Sequence, residues 1–160
     1  MKQGSTLFLK GVLVLIGIGT LAILIWEPHI EGRNANADMV TMYLRDPFLA
    51  YAYIASIPFF VALYQAFKLL GYIGENKVFS QAAVKTLRTI KYCAIVIVAF
   101  VVGAEAYLFI VMRGKDDIAG GVAVGLFIIF ASVVIGTAAA LFERLLQNAV
   151  DIKSENDLVV

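Results

Sequence analysis

Glu105 is the residue of this sequence that ordinary packing explains least well. It lies in residues 92–112, a stretch of 21 residues with no other charge and long enough to cross a bilayer. A helical rise of about 1.5 Å per residue puts it about 10 Å inside the boundary at Met112. A carboxylate at such a depth is costly, and it usually faces the interior of a helix bundle, where it is paired, protonated or functional.

Three hydroxyl side chains are expected near the depth of this carboxylate: those of Thr20, Tyr53 and Ser56. They would solvate Glu105, and the small residues Gly121 and Gly125 would let a neighbouring helix approach it. Such a site would bind a proton, a cation or a small ligand. Two other interpretations stay open. Glu105 is a protonated side chain that makes an interhelical hydrogen bond, or the span is shorter and Glu105 reaches the outer interface.

Other kinds of chemistry find little support. Four residues of the first outer loop have side chains that bind metals: Glu27, His29, Glu31 and Asp38. Their spacing matches no recognised ligand pattern, so no metal is expected. A single histidine and a single cysteine exclude a bis-histidine haem, a CxxC pair and an internal disulfide. No phosphate-binding loop, nucleophile elbow, HExxH or dinucleotide fingerprint is present. We therefore expect no cofactor and no enzymatic activity.

The composition is that of an integral membrane protein. Hydrophobic residues make up 61% of the chain and charged residues 16%, and the mean hydropathy is +0.88. Soluble domains are closer to half apolar and a quarter charged. The net charge of +1 lacks the basic excess that direct nucleic-acid binding requires.

Four apolar stretches predict membrane-spanning helices within one transmembrane domain of 160 residues. The expected spans are about 6–26, 47–70, 92–112 and 118–142, with an inner loop at 71–91 and a tail at 143–160. The first stretch also has features of a signal peptide, but its A-x-A motif at 35–37 lies too far beyond Trp26. Short connections favour antiparallel neighbours. The prediction is an all-α, integral membrane four-helix up-down bundle.

Basic residues predict the orientation of this bundle. The N-terminus, the central loop with its flanks and the tail carry nine lysines and arginines, whereas the other side carries four. Cytoplasmic loops hold the excess of such residues. Both termini are therefore expected in the cytoplasm.

The inner loop is expected to contain a helix that begins at Ser80, whose hydroxyl would cap it. Its apolar stripe is formed by Ala83, Val84, Leu87 and Ile90, and its basic residues, largely off that stripe, are Lys85, Arg88 and Lys91. This helix either lies on the inner leaflet or extends the third span into the cytoplasm. Its basic residues are candidates for binding a partner.

The tail and the fourth span offer two more surfaces. The tail ends in an acidic stretch with an apolar tip, including Asp157 and Leu158, which is either a frayed end or a docking segment. The fourth span carries small residues at Gly121, Gly125 and Gly136, a spacing that lets helices pack closely. These glycines serve packing within the chain or a homodimer interface, and internal packing is favoured because four helices have internal interfaces to fill.

Several segments together resemble the bacterial membrane family known as domain of unknown function 2975. They are residues 57–70 (IPFFVALYQAFKLL), 76–80 (NKVFS), 87–92 (LRTIKY) and 152–158 (IKSENDL), in that order and between four hydrophobic spans. The resemblance implies a four-span protein in the cytoplasmic membrane of Gram-positive and related bacteria. It also implies a neighbouring gene for a small helix-turn-helix regulator of the Cro/CI type, and hence a regulatory pair.

The leading hypothesis is a non-enzymatic regulatory or interaction module in the lipid bilayer. Its inner loop and tail would engage a soluble partner, plausibly a small helix-turn-helix transcriptional regulator. The alternative is a small-solute or ion carrier, or an immunity-type membrane protein, with its polar site around Glu105.

Overall fold

The computed structural model describes residues 3–30, 38, 40, 47–114 and 118–158. These residues form four long helices: α1 (Gln3–Ile30), α2 (Pro47–Gly74), α3 (Gln81–Tyr107) and α4 (Ala119–Leu158). A π-helical turn, Leu108–Met112, continues α3. All four helices are long and apolar enough to cross a membrane. The prediction of an all-α integral membrane protein with four spans is confirmed.

Helices that follow one another in the chain make the substantial contacts. α3 packs most extensively against α4 and next against α2, and α1 packs against α2. α3 therefore makes the most extensive contacts of the four helices. The remaining helix surfaces carry exposed apolar side chains such as Phe127 and Phe130. In a bilayer, lipid tails cover such surfaces at no hydrophobic cost.

The first half of α3 holds most of the buried residues. Ser80 precedes the helix in an extended conformation, and its hydroxyl oxygen accepts a hydrogen bond from the backbone N–H of Ala83 at 3.3 Å. The predicted cap is confirmed, as is the predicted stripe, because Ala83, Val84, Leu87 and Ile90 are all buried. Leu87 and Ile90 pack with Ala139 of α4. This contact joins α3 and α4 where the apolar segment of α3 begins and that of α4 ends.

The helix predicted for the inner loop is the beginning of α3. No glycine or proline interrupts the sequence between residues 81 and 102, so the helix continues into the third span without a break. This is the second of the two arrangements considered from the sequence, an extension of the span rather than a separate helix. A continuous helix cannot both cross the bilayer and lie along its surface.

A tyrosine fixes α2 on α3 at the other end. The Tyr51 hydroxyl donates to the carbonyl oxygen of Phe100 at 2.7 Å, and the two rings meet edge to face. Gly103 makes room for this contact, because a Cβ there would lie 2.7 Å from the hydroxyl oxygen. A larger residue at position 103 would block the hydrogen bond between the Tyr51 hydroxyl and the Phe100 carbonyl.

Candidate functional site

The most strongly connected polar group is the Glu143 junction, formed by Glu143 of α4 with Arg88 and Lys91 of α3. Glu143 is nearly buried, with 10% of its side chain exposed. Its Oε1 accepts a hydrogen bond from Arg88 Nε at 2.7 Å, and its Oε2 accepts one from Lys91 Nζ at 2.6 Å. One carboxylate thus binds two cations of the neighbouring helix.

The sequence positions explain this junction. Arg88 and Lys91 are three residues apart, so they project from the same face of α3. Glu143 is the first charged residue after the uncharged stretch 118–142 of α4. Antiparallel packing brings these two chain positions to the same level. Sequence reasoning missed Glu143 as a site residue. The signal that would have found it is a lone carboxylate at the end of an apolar span, opposite two cations spaced for one helix face.

The hydrogen bonds of the junction favour the charged forms of Glu143 and Arg88. The hydrogen bond from Lys91, and next the one from Arg88, holds the pKa of the Glu143 carboxyl below its ordinary value, although burial opposes this change. The hydrogen bond to Glu143 likewise raises the pKa of Arg88. Two cations and one carboxylate leave the junction with a net positive charge. Half of the Arg88 side chain is exposed.

The other residues predicted to bind a partner lie apart from this junction. Lys85 is exposed one turn earlier in α3, and among the described residues no carboxylate pairs with it. Asp157 and Leu158 are exposed at the end of α4. At about 1.5 Å per residue, they lie about 20 Å beyond Glu143 along the helix axis. The tail is helical as far as Leu158, so it is a projecting rod rather than a frayed end.

Glu105 faces α4 within the span. Its side chain lies against Gly125 so closely that no Cβ fits at that position. Glu105 Oε2 is buried and has no hydrogen-bond partner among the described residues. The glycine predicted near this carboxylate therefore lies directly against it.

The three hydroxyl groups predicted to solvate Glu105 donate elsewhere. Thr20 donates to the carbonyl of Ile16 at 2.9 Å. Tyr53 donates to that of Leu24 at 2.8 Å, and Ser56 to that of Tyr53 at 2.7 Å. A hydroxyl has only one proton to donate. None of these three hydroxyl groups therefore donates a hydrogen bond to Glu105.

The close contact at Gly125 leads to a double-mutant prediction. Gly125→Ala is expected to lower the free energy of unfolding by about 1–2 kcal/mol, because the new methyl group displaces the Glu105 side chain from its place. Adding Glu105→Ala should restore most of this loss, since it removes the obstructing atoms. Adding the isosteric Glu105→Gln should not. Thermal unfolding in detergent measures all four proteins, and equal rescue by both substitutions at position 105 would contradict the contact.

All three glycines singled out on α4 face α3 of the same chain. Added Cβ atoms would meet the side chains of Leu108, Glu105 and Ala94 at positions 121, 125 and 136, respectively. The small-residue face is therefore occupied by an internal neighbour. Close approach of α3 and α4 is what these glycines permit.

The outer-loop metal hypothesis falls mostly outside the described residues. The side chains of Glu27, His29 and Glu31 are among those the structure does not describe. Within the described part of the chain, no group of three or more metal-binding side chains comes together.

Comparisons with known proteins agree with the resemblance seen in the sequence. A family model described as "Protein of unknown function (DUF2975)" matches residues 32–160. The chain is also 47% identical over 161 residues to the "Uncharacterized membrane protein YoaS" of Bacillus subtilis (strain 168), with all of both chains covered. No solved structure matches it.

Proposed function

The chain belongs to the DUF2975 family, as a small multi-pass membrane protein of bacteria, and we propose that it acts as a regulatory module for a soluble partner. The partner is a small helix-turn-helix regulator, held at the cytoplasmic face by the beginning of α3 and the end of α4. The observation that carries this proposal is the length of α4. It has 40 residues, about twice what a bilayer requires.

The extra length of α4 supports a role outside the membrane. Residues 143–158 continue the helix past its uncharged stretch by about 24 Å. Residues 151–158 are all exposed, and they include the apolar side chains of Ile152 and Leu158. A hydrogen bond from Gln147 to Asp151 at 2.7 Å stabilises the helix where it projects. An exposed apolar and acidic rod of this kind suits docking by another protein.

The Glu143 junction supports a single binding surface made from both segments. It fastens α4 to α3 at the first residue of the tail, so the tail is held in one direction relative to Lys85 and Arg88. The Nη groups of Arg88 make no hydrogen bond among the described residues and are available to a partner's carboxylate. The partner would then meet positive charge on α3 and negative charge on the tail.

A regulatory role requires two states that a stimulus binds differently. In this proposal the states differ in whether the Glu143 junction is closed. With the junction open, the tail would lose its fixed direction, and the composite surface would be dispersed. The stimulus would act within the bundle, where α3 and α4 pack.

In-cell crosslinking of the tagged protein in its native membrane tests this proposal. A helix-turn-helix protein should co-purify with the wild type. It should be lost when residues 151–160 are deleted or when Lys85→Glu and Arg88→Glu are combined. Arg113→Glu, a single charge reversal at the opposite end of the bundle, is the control and should retain it. Retention by every variant would remove the loop and tail from the binding surface, and recovery of this protein alone would contradict a soluble partner.

A second function is favoured by one specific observation: the Oε2 of Glu105 has no hydrogen-bond partner in the part of the chain that the structure describes. A buried carboxylate oxygen without a donor is rare in a membrane protein unless it is protonated or binds something. The corresponding proposal is a small-solute or ion carrier, or an immunity-type protein, in which this oxygen takes a proton or a cation. In proteoliposomes, Glu105→Gln should abolish the proton flux, whereas Glu155→Gln in the exposed tail should leave the flux unchanged. Equal fluxes would assign Glu105 to packing.

A further inference from the structure

We propose that the groove between α1 and α2 binds an anionic phospholipid of the bilayer, with an acyl chain along the groove and the phosphate at Lys10 and Lys68. This site is separate from the Glu143 junction and from Glu105. It rests on three features of the described residues: an apolar groove, two lysines at one end of it, and the absence of carboxylates that would neutralise them.

The groove is apolar along its length. It is lined by Leu13, Val14 and Gly17 of α1 and by Phe60, Leu63 and Phe67 of α2, and it is a largely open groove with a volume of about 200 Å³. Gly17 contributes no side chain, and this absence leaves the space between the helices open. All of these residues belong to the uncharged stretches that cross the hydrocarbon core. A hydrocarbon chain is therefore the occupant that suits the groove.

Two lysines place their ammonium groups over aromatic rings at one end of the groove. Lys10 Nζ lies 5.0 Å from the centre of the Phe67 ring, and Lys68 Nζ lies 5.8 Å from the centre of the Tyr64 ring. Both rings line the groove. Because α1 and α2 are antiparallel, Lys10 comes just before one apolar stretch and Lys68 just after the other. Both ammonium groups thus lie at the same membrane boundary.

These two charges have no protein counter-ion among the described residues. The salt bridges there involve neither Lys10 nor Lys68. The pKa of Glu75 is lowered mainly by the hydrogen bond that its Oε2 accepts from Lys77 Nζ at 2.9 Å, and the charge of Lys10 is only a small cause. Two unneutralised cations at the boundary end of an apolar groove complement a lipid whose head is negative and whose tail is apolar. A free phosphate would make no use of the groove.

Native mass spectrometry of the delipidated, full-length protein in neutral detergent tests this site. Dioleoylphosphatidylglycerol and dioleoylphosphatidylcholine are titrated separately. Two lysines near the surface predict that the first phosphatidylglycerol binds on the order of tenfold more tightly than phosphatidylcholine. The Lys10→Gln/Lys68→Gln double variant should bind both lipids equally. Arg144→Gln, at an exposed basic residue of α4 away from the groove, should keep the preference.

A pair of glycine substitutions tests the groove itself. Leu63 lies 3.6 Å from the position of a Cβ at Gly17, so Gly17→Leu should fill the groove and weaken the binding of both lipids. Gly19 has nothing within 4 Å, and Gly19→Leu should leave both affinities unchanged. Circular dichroism verifies that each variant is helical. Equal wild-type affinities, a preference that survives the double lysine variant, or equal binding by the two glycine variants would each overturn the proposal. A lipid-free dimer lost on Gly17→Leu would assign the groove to a second copy and overturn it as well.

Discussion

Glu143→Ala is expected to lower the free energy of unfolding by about 3 kcal/mol, one of the two largest effects of a single substitution in this protein. The wild-type carboxylate is nearly buried and binds Arg88 and Lys91 at the same time. Its removal leaves two cations facing each other without compensation. The uncompensated charge of Lys91 contributes most to this loss of stability, because only 24% of its side chain is exposed to solvent.

Thermal unfolding of the full-length protein in detergent measures this loss. Glu155→Ala is the matched control, since Glu155 is an exposed carboxylate on the same helix. A double-mutant cycle between Glu143→Gln and Lys91→Gln isolates the pairwise energy. It should exceed that of the corresponding Arg88 cycle, because Arg88 is half exposed and better solvated. A transition temperature for Glu143→Ala equal to that of Glu155→Ala would contradict the junction.

The same carboxylate predicts a dependence of stability on pH. Folding lowers the pKa of Glu143 from its ordinary value of 4.5, so the junction contributes its full stability above that value. The contribution declines as the pH falls through 4.5 towards the lower pKa of the folded state. The difference in stability between the wild type and Glu143→Gln should therefore be constant from pH 8 to about pH 6 and shrink below about pH 4.5. A constant difference down to about pH 3 would contradict the assignment.

Gly136→Leu is expected to destabilise the protein by about 3 kcal/mol or more, because it separates α3 from α4. A Cβ at this position would lie 3.1 Å from the Cβ of Ala94, which is 4% exposed. Both atoms are fixed to their backbones, so neither can rotate away. The helices must move apart, and the nearby contact of Ala139 with Leu87 and Ile90 weakens with them.

The control for this prediction lies on the same helix. Gly120 has nothing within 4 Å of an added Cβ, so Gly120→Leu should change the stability by less than about 0.5 kcal/mol. Unfolding in detergent, followed by far-ultraviolet circular dichroism, compares the two. If both leucines prove equally harmless, α3 and α4 do not approach each other closely at Gly136.

Much of the fold could be predicted from local patterns in the sequence. The four spans follow from the length of uncharged stretches, because a helix is the structure that satisfies its own backbone in lipid. The Ser80 cap and the buried stripe through Leu87 follow from residue types and spacing along one helix. The orientation of the termini follows from the distribution of lysine and arginine and stays a prediction.

The candidate sites were harder to predict from the sequence because they depend on distances between helices. Glu105 was found because a charge inside an apolar span is visible in the sequence. Its neighbour Gly125 was expected from depth alone. Its lack of a hydrogen-bond donor was not expected, because the direction in which Tyr53 donates depends on how α2 sits against α1. Glu143 looked like an ordinary residue of the tail.

The sequence by itself determined that this is a four-span helical membrane protein, because hydrophobic length and local capping need no knowledge of the neighbours. The order of its motifs identified the DUF2975 family. Only the tertiary structure decided which charges are used internally and which face outward. It joins Arg88 and Lys91 to Glu143 across more than 50 residues of chain and leaves Lys85 exposed. The physical reason is that an ion pair forms through the close approach of two helices, and the packing of their apolar faces sets that approach.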